Sequence, residues 1–278
     1  MNAALSDSMF SKFNKAALQE CLAFCQRFKM FDFSTVYSLA LALIRHYRGD
    51  CTVSDALLPM LKLRQRWYIS LCSNEPDYSI YDDDCYISDL WACWVVYSRK
   101  YLLAIQNAKA LPEQRSIAER LGAVKKVVDL GCGFGYTSAV LKELFPSAEI
   151  FGTNLEGTAQ YKIASELGNQ RNFRVIPDSV QAGSSVDLIF ASEFFEHIQD
   201  PIRLLIKIIK ECQPRAFLVA NAFGAQSVGH FDHYQHNGKR IANSQIGKLF
   251  NQTLRRWGYA PVKTKLWNNR PAYWSCAA

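Results

Sequence analysis

The segment VVDLGCGFGYTS combines a carboxylate with three glycines at a spacing that suits ligand binding. Asp129 stands two residues before Gly131, and Gly133 and Gly135 follow at alternate positions. Glycines let the backbone approach a ligand closely, and a turn that opens a helix presents backbone amides. Because a carboxylate there repels a diphosphate and attracts a positive charge, the pattern favours a cationic ligand. The spacing G-x-G-x-G also differs from the G-x-G-x-x-G of dinucleotide sites, which disfavours a nicotinamide oxidoreductase.

The elements around this turn predict a parallel sheet. From residue 125 onward, short β-branched runs alternate with amphipathic helical stretches, which is typical of strands joined by crossover helices. After the fifth strand we expect a polar loop, the helix NSQIGKLFNQTLRRWG and a terminal hairpin. The predicted strands are Val127–Leu130, Glu149–Thr153, Phe173–Ile176, Asp187–Ala191 and Phe217–Ala220, and the hairpin runs are Val262–Trp267 and Ala272–Ala277.

The first 122 residues are predicted to be helical, because apolar positions recur at spacings of three and four. FSTVYSLALALIRHYRG is predicted as one helix and ISDLWACWVVYSRKYLLAIQNA as a second, longer one. LPEQRSIAERLG is predicted as a short helix with Pro112 in its first turn and Gly122 at its end. We therefore expect a helical domain at residues 1–122, which covers or selects the substrate, and an α/β domain at residues 123–278.

The segment VVDLGCGFGYTS resembles the first motif of the class I S-adenosylmethionine-dependent methyltransferases, and the resemblance extends over roughly residues 123–278. It implies an α/β, Rossmann-like, doubly wound fold with a seven-stranded, mostly parallel sheet in the order 3-2-1-4-5-7-6. It also implies S-adenosyl-L-methionine as the cofactor. By the resemblance, the backbone of Gly131, Cys132 and Gly133 borders the methionine half of the cofactor. Asp129 then binds the cofactor's ammonium group, directly or through water.

The resemblance assigns further cofactor contacts to the ends of the next strands. In the family, an acid after the second strand accepts hydrogen bonds from both ribose hydroxyls, and here that position holds Asn154, with Glu156 as the alternative. Asp178 follows the third strand, where the family often places a carboxylate that receives the adenine amino group; a plain turn residue is the other interpretation. Glu193 and Phe194 follow the fourth strand and are expected to border the cofactor or the acceptor.

Candidate catalytic residues follow the fourth and fifth strands. The resemblance places acceptor contacts in the loop after the fifth strand, where GHFDHYQHNG carries His233 and His236, while Glu193 and His197 follow the fourth strand. A histidine with a pKa near 6.5 can remove a proton from an acceptor at neutral pH, and a packing or surface role is the alternative for each. The spacing H-x-D-H-x-x-H matches no metal signature with a known mechanism, so no metal site is predicted.

The charge distribution bears on the acceptor. Residues 201–278 carry 12 Lys and Arg against 2 Asp and Glu, whereas residues 1–122 and 123–200 have net charges of +1 and −4. Such a basic region attracts an anionic acceptor, either a nucleic acid or a phosphorylated or other small organic molecule, and a solvated basic helix is the alternative. Trp91 and Trp94 suit a planar organic acceptor or, at their helical spacing, a core.

Missing motifs narrow the reaction. No N-P-P-Y, D-P-P-Y or Pro-Cys pair occurs, which argues against exocyclic-amine and cytosine-C5 DNA methyltransferases, and FLVANAF lacks the lysine of ribose 2′-O enzymes. The expected activity is methyl transfer to an O or N atom of an anionic acceptor. The alternative is a non-catalytic methyltransferase-like binding or scaffold subunit, which Asn154 favours because it replaces an acid.

Composition excludes several protein classes. With 49% hydrophobic and 21% charged residues, 14 Gly and 9 Pro among 278 residues, the chain is neither disordered nor collagen-like. The longest stretch without a formal charge, residues 216–231, is shorter than the roughly 18 apolar residues of a membrane span. MNAALSDSMF lacks the features of a secretory signal, and the nine cysteines form no C-x-x-C pair. These features predict a reduced, cytoplasmic protein, and no pattern indicates its oligomeric state.

Overall fold

The chain forms two compact units, Met1–Arg99 and Lys100–Ala278. The computed structural model describes residues 32–50, 54–266 and 271–276, together with positions 19, 23, 26 and 27. The predicted strand ends Trp267 and Ala277, and the segment MNAALSDSMF, lie outside the described residues. The division between the units falls at Arg99 rather than at residue 122, so the helical segments after residue 99 group with the α/β unit.

The first unit is helical over its described residues, as the apolar spacing predicts. The side chain of Asp32 accepts a hydrogen bond from the Ser34 N–H at 3.2 Å and caps the helix that begins at Phe33. The predicted long aromatic helix is interrupted by a π-helical turn at Trp94–Ser98. Trp91 and Trp94 are buried, which is the core role that their spacing allows. The helices are α1 Phe33–Tyr47, α2 Ser54–Cys72 and α3 Asp84–Cys93. The helix α4 Arg99–Asn107 follows the π-helical turn and, except for Arg99, belongs to the second unit.

A seven-stranded sheet forms the centre of the second unit. Its strands are β1 Lys126–Leu130, β2 Glu149–Thr153, β3 Arg174–Ile176, β4 Leu188–Ser192, β5 Ala216–Ala220, β8 Tyr259–Lys263 and β9 Ala272–Cys276. The order is β3-β2-β1-β4-β5-β9-β8, with β1 to β5 parallel and β9 antiparallel to both of its neighbours. Numbered within this sheet, the order is 3-2-1-4-5-7-6, so the predicted fold is confirmed.

Helices flank the strands as the alternating pattern predicts. They are α5 Ile117–Leu121, α6 Tyr136–Leu144, α7 Ala159–Arg171, α8 Pro201–Cys212 and α9 Asn243–Arg256. Pro112 is not in the first turn of α5, which begins after Ser116 because Ser116 and Glu119 form a reciprocal capping box. Asp200 caps α8 by accepting from the Arg203 N–H at 2.9 Å. No helix among the described residues is long and apolar enough to cross a bilayer.

The expected polar loop after β5 contains a hairpin instead. β6 His233–His236 and β7 Lys239–Ala242 form a separate two-stranded antiparallel sheet. The two residues between them, Asn237 and Gly238, have φ values of 50° and 71°. Positive φ at both central positions is typical of a type I′ turn, which Asn-Gly favours. The hairpin therefore gives the loop a defined backbone.

The core of the second unit fixes the edge at which ligands are expected. Val128, Ile189 and Phe217 on β1, β4 and β5 are fully buried. In the register, Leu130 of β1 pairs with Ala191 of β4. Since the strands are parallel, their carboxyl ends share one edge of the sheet, where open α/β folds bind ligands. The segments that follow β1, β4 and β5 are therefore neighbours.

Candidate active site

The glycine turn between β1 and α6 is anchored to the end of β2. The Gly131 N–H donates to Thr153 Oγ1 at 2.9 Å, and the Cys132 N–H donates to the Thr153 carbonyl at 2.9 Å. The φ values of Gly131 and Gly133 are 67° and 55°, in the region that glycine adopts most readily. A Cβ on Gly131 would lie 2.5 Å from Phe194, whereas one on Gly133 would meet no atom within 4 Å. The turn thus presents Gly133, and not the amides of Gly131 and Cys132, to open space.

Asp129 lies beneath this turn and is almost fully buried. Its Oδ2 accepts hydrogen bonds from the Thr137 hydroxyl and, at 2.7 Å, from the Ser138 hydroxyl. Burial raises the pKa of Asp129 to about 7, although both hydroxyls act to lower it. Asp129 is predicted from its motif, whereas its two partners, which lie eight and nine residues later on the first turn of α6, are not. A cation near Asp129 would favour its charged form.

The side chain of Asn154 is hydrogen-bonded to the backbone of the glycine turn. Its Nδ2 donates to the Gly133 carbonyl at 2.6 Å, and its Oδ1 accepts from the Leu155 N–H at 2.8 Å. Glu156, the alternative ribose ligand, is exposed. Both positions lie at the end of β2 beside the turn, and their roles toward a ribose stay predictions.

Asp178 caps the 3₁₀ turn Ser179–Ala182 by accepting from the Val180 N–H at 3.1 Å. Its other oxygen pairs with Lys207 Nζ at 2.5 Å. Burial acts to raise the pKa of Asp178, but the hydrogen bonds from Lys207 and Val180 outweigh it and lower the pKa below its ordinary value. Asp178 therefore has the turn role that the sequence analysis keeps as an alternative, and contact with an adenine stays a prediction.

Glu193, Glu196 and His230 come together at the ends of β4 and β5, and we call them the Glu–Glu–His group. Their potential ligand atoms all lie within 4.8 Å of one another. Glu196 is fully buried, and its Oε1 accepts from the Ala222 N–H at 2.7 Å. Burial and the neighbouring Glu193 raise the pKa of Glu196 well above its ordinary value. Of these three residues, only Glu193 is predicted from the sequence to be catalytic.

The Glu193 backbone is held in an unusual conformation. Its φ of 52° lies in the left-handed region, which residues with a Cβ seldom adopt. The Glu193 N–H donates to the Ala220 carbonyl at 2.8 Å, so the end of β5 holds this conformation. The next residue, Phe194, is the one that packs against Gly131. Phe194 therefore lies next to the glycine turn, and the expected contact of Glu193 and Phe194 with the cofactor or the acceptor stays a prediction.

His197 and His230 contact each other edge to face, with ring centroids 4.7 Å apart. His230 Nδ1 lies 3.0 Å from the Ala225 carbonyl, so this nitrogen carries the proton in the neutral ring. Burial and the adjacent His230 lower the pKa of His197 to about 3, and burial lowers that of His230 as well. His197 is thus neutral at pH 7 and a weaker base than the histidine near pKa 6.5 that the sequence analysis expects.

His233 and His236 lie on β6 and do not belong to the Glu–Glu–His group. His233 Nδ1 is 2.8 Å from Arg240 Nη2, and His236 Nδ1 is 3.7 Å from Asp200 Oδ1. Both histidines are partly exposed. Their catalytic roles stay predictions.

The comparisons with known proteins agree on one family. The sequence profile of the family described as "Methyltransferase domain" matches residues 102–264, more than half of the chain. The trans-aconitate 2-methyltransferase of Deinococcus radiodurans is 30% identical over 132 residues, 47% of this chain and 48% of that protein. The malonyl-[acyl-carrier protein] O-methyltransferase 2 of Ilyobacter polytropus is 24% identical over 121 residues, 40% of this chain and 47% of that protein. The chain thus spans about half the length of the curated relatives it matches.

Solved structures of methyltransferases also match. The mitomycin 7-O-methyltransferase MmcR aligns with 75% of this chain and 62% of its own, at 14% identity and a TM-score of 0.48. An O-methyltransferase family protein from Burkholderia thailandensis aligns with 70% of this chain and 60% of its own, at 10% identity and a TM-score of 0.48. By the profile match over more than half its length, together with its motif and sheet order, the chain belongs to the methyltransferase domain family, among the class I S-adenosylmethionine-dependent methyltransferases.

Proposed function

We propose that this chain is an enzyme that transfers a methyl group from S-adenosyl-L-methionine to an oxygen or nitrogen atom of an anionic acceptor. The observation that carries the proposal is a turn with open space at Gly133, placed over the buried carboxylate of Asp129. A cofactor with an ammonium group suits this turn, because the carboxylate lacks a cationic partner among its hydrogen bonds to Thr137 and Ser138.

The residues around the turn fit the parts of such a cofactor. Asp129 and Gly133 would hold the amino-acid part. Asn154 or Glu156 lies at the end of β2 for the ribose, and Asp178 follows β3 for the adenine. These assignments follow the order of the strand ends along the edge of the sheet, since β1, β2 and β3 are adjacent.

The chain's own part in the reaction is orientation and proton removal. S-adenosylmethionine supplies a methyl group already activated on a sulfonium, so no protein nucleophile is required. With that cofactor bound, the chain's residues would hold the acceptor atom in line with the methyl group and take the proton that a hydroxyl acceptor loses, leaving S-adenosylhomocysteine as the second product. Glu193 and His197 are the candidates of the sequence analysis for receiving that proton, together with His233 and His236. Glu196 and His230 join them because they adjoin Glu193.

The exposed basic residues and the names of the curated relatives both support an anionic acceptor. Lys248, Arg255 and Arg256 on α9 are exposed, as are Lys239 and Arg240 on β7. The names of the two curated relatives specify an aconitate and a malonyl group, both of which carry carboxylates. A small acid whose oxygen accepts the methyl group is therefore one form of the acceptor, and a nucleic acid is the other form that a basic surface attracts.

The second candidate function is a non-catalytic binding or scaffold subunit. It is favoured by Asn154, whose amide bonds to the backbone of Gly133 and Leu155 where the family has a ribose-binding acid. Such a subunit would have the same fold but would not bind S-adenosylmethionine, so a measurement of cofactor binding distinguishes the two functions.

Calorimetric titration with S-adenosylmethionine separates these functions. We expect saturable binding that falls at least about tenfold in Asp129→Ala, because a charge-assisted contact is lost, and no change in the exposed control Asp232→Ala. Methyl incorporation from labelled cofactor into tRNA, rRNA, DNA and a metabolite extract then identifies the acceptor. Absence of cofactor binding would support the scaffold function, and thermal protection by NAD(H) would contradict both.

A further inference from the structure

The Glu–Glu–His group has the geometry of an incomplete metal coordination shell. Glu193 directly follows β4, Glu196 lies in the 3₁₀ turn Phe195–His197, and His230 comes from the segment after β5. Their ligand atoms lie within 4.8 Å of one another. Three equally spaced ligands, each about 2.1 Å from one ion, are at most about 3.6 Å apart. A closure of up to about 1.2 Å therefore brings all three side chains within bonding distance of a single ion.

Glu196 supplies a second, independent observation. The residue is fully buried, and within the part of the chain that the structure describes no N–H or hydroxyl group donates to its Oε2, which has only the Glu193 carboxyl beside it. A buried carboxylate oxygen without such a donor is costly, and it lies here beside a second carboxylate, Glu193. A divalent cation would supply both the missing partner and the missing positive charge.

The surroundings hold the three ligands in place. The Glu196 carbonyl accepts hydrogen bonds from the Phe231 N–H and the Tyr234 hydroxyl, both at 3.3 Å, and the Ala222 N–H fixes the side chain. His230 Nδ1 faces the Ala225 carbonyl at 3.0 Å. Protein histidines that bind metals commonly donate their other ring N–H to such an oxygen, which orients the ring. The group is thus preorganised by backbone contacts from both loops.

We propose that Glu193, Glu196 and His230 bind one divalent cation at the carboxyl edge of the sheet. Two carboxylates and one imidazole form a mixed oxygen and nitrogen donor set, which suits Mn²⁺ and neighbouring first-row divalent cations better than a soft thiolate-seeking ion. This binding does not depend on the proposed methyl transfer.

The place of the site gives it a role that does rest on the proposed function. Phe194 lies between Glu193 and Glu196 in sequence and packs against Gly131 of the glycine turn. The cation is therefore next to the expected cofactor site, where it would bind an acceptor oxygen and ease loss of its proton. An anionic acceptor suits such a cation as well as it suits the basic surface.

Titration of the chelator-treated chain with Mn²⁺, followed by electron paramagnetic resonance and calorimetry without cofactor, tests the site. We expect one saturable equivalent per chain in the micromolar range. Glu196→Gln and His230→Gln should each weaken binding at least about tenfold, since each removes a ligand. Glu211→Gln, which neutralises an exposed carboxylate on α8, is the matched control and should change binding less than about twofold.

Two results would overturn the proposal. One is no saturable Mn²⁺ binding by the wild-type chain, which would leave the two carboxylates as a pair that shares a proton. The other is binding that none of the ligand variants weakens. Because Glu196 is buried, circular dichroism checks its variant for folding, and Glu193→Gln, at a partly exposed position, repeats the test if that variant unfolds. Methyl transfer is measured separately, so its failure leaves the metal result unaffected.

Discussion

At the scale of single residues, Asp129 determines how the glycine turn responds to a positive charge. Burial raises its pKa to about 7, while Thr137 and Ser138 partly stabilise the carboxylate. An ammonium group would add the charge that these hydroxyls lack. Binding should therefore ionise Asp129, and affinity for S-adenosylmethionine should increase as the pH rises from 5.5 to 7.5.

The same carboxyl predicts a pH-dependent stability. The pKa is about 7 in the folded chain and near 3.8 when unfolded, so between these values the folded state retains a proton that the unfolded state releases. Stability should thus fall as the pH rises from about 4 to about 7, by at most about 4 kcal/mol. Asp129→Asn should remove this part of the dependence and be more stable than wild type at pH 8. Denaturant unfolding at several pH values measures the free energy of unfolding of both proteins. Curves of this free energy against pH that run parallel for variant and wild type would contradict the prediction.

Substitution by alanine should have different effects at Gly131 and at Gly133. Both have positive φ, so alanine costs about 1 kcal/mol at either position. Gly131→Ala adds a clash with Phe194 and should lower the melting temperature further. Gly133→Ala should stay close to that backbone cost yet abolish cofactor binding, because its methyl group enters the open space of the turn. Thermal melts and calorimetry distinguish the two, and normal cofactor affinity in Gly133→Ala would argue against this location.

Sequence predicts the glycine turn but not all of the residues around it. Asp129 and its glycines are contiguous, so a local motif is enough to find them. Glu196 and His230 are 34 positions apart, and only the adjacency of β4 and β5 brings them together. The predicted strand order already places β4 beside β5, so it could have indicated that the segments after these two strands lie close together. The left-handed backbone of Glu193 follows from contacts with β5 and has no sequence signature.

At the scale of elements, the parallel strands were the most predictable. The predicted bounds of β1 to β5 agree with the observed bounds to within one residue at each end, because each is a short run between helical stretches. The first hairpin run was wrong: it was predicted as Val262–Trp267, whereas β8 spans Tyr259–Lys263. The β6–β7 hairpin was missed because HYQH and KRIA lack alternating apolar residues. Its Asn237-Gly238 turn was nevertheless a usable hairpin signal.

Helix α9 supports the loop that carries the acidic residues. Phe250 is buried, and its ring packs edge to face on Phe195, with centroids 4.7 Å apart. Phe195 lies between Glu193 and Glu196. We expect Phe250→Ala to lower the free energy of unfolding by about 3–5 kcal/mol. It should also lower the turnover of the identified acceptor, measured at a temperature well below the melting temperature of the variant. Phe145→Ala at the end of α6 is the control: it should destabilise without this loss, and equal turnover in both variants would exclude a supporting role for α9.

At the scale of the whole molecule, positive charge is concentrated in the last 78 residues. Arg255 lies over the Trp274 ring at 5.5 Å, which orients its guanidinium, and Arg256 is exposed beside it. Replacing both with Gln should raise the KM for an anionic acceptor several-fold and flatten its salt dependence, since fewer ion contacts form. Cofactor affinity should not change. The double variant Arg171→Gln and Arg174→Gln, near the opposite edge strand β3, controls for the change in net charge. An equal effect of the two double variants would mean that the acceptor responds to the net charge of the protein and not to Arg255 and Arg256.

The glycine turn over Asp129 is the proposed binding site of S-adenosylmethionine. A crystal of the chain soaked with S-adenosylhomocysteine, the demethylated product, locates the ligand directly. We predict electron density against Gly133, with the ligand's ammonium group bound to Asp129 directly or through one water molecule. Density at a different edge of the sheet, or an empty turn at a ligand concentration that saturates binding in solution, would contradict the account.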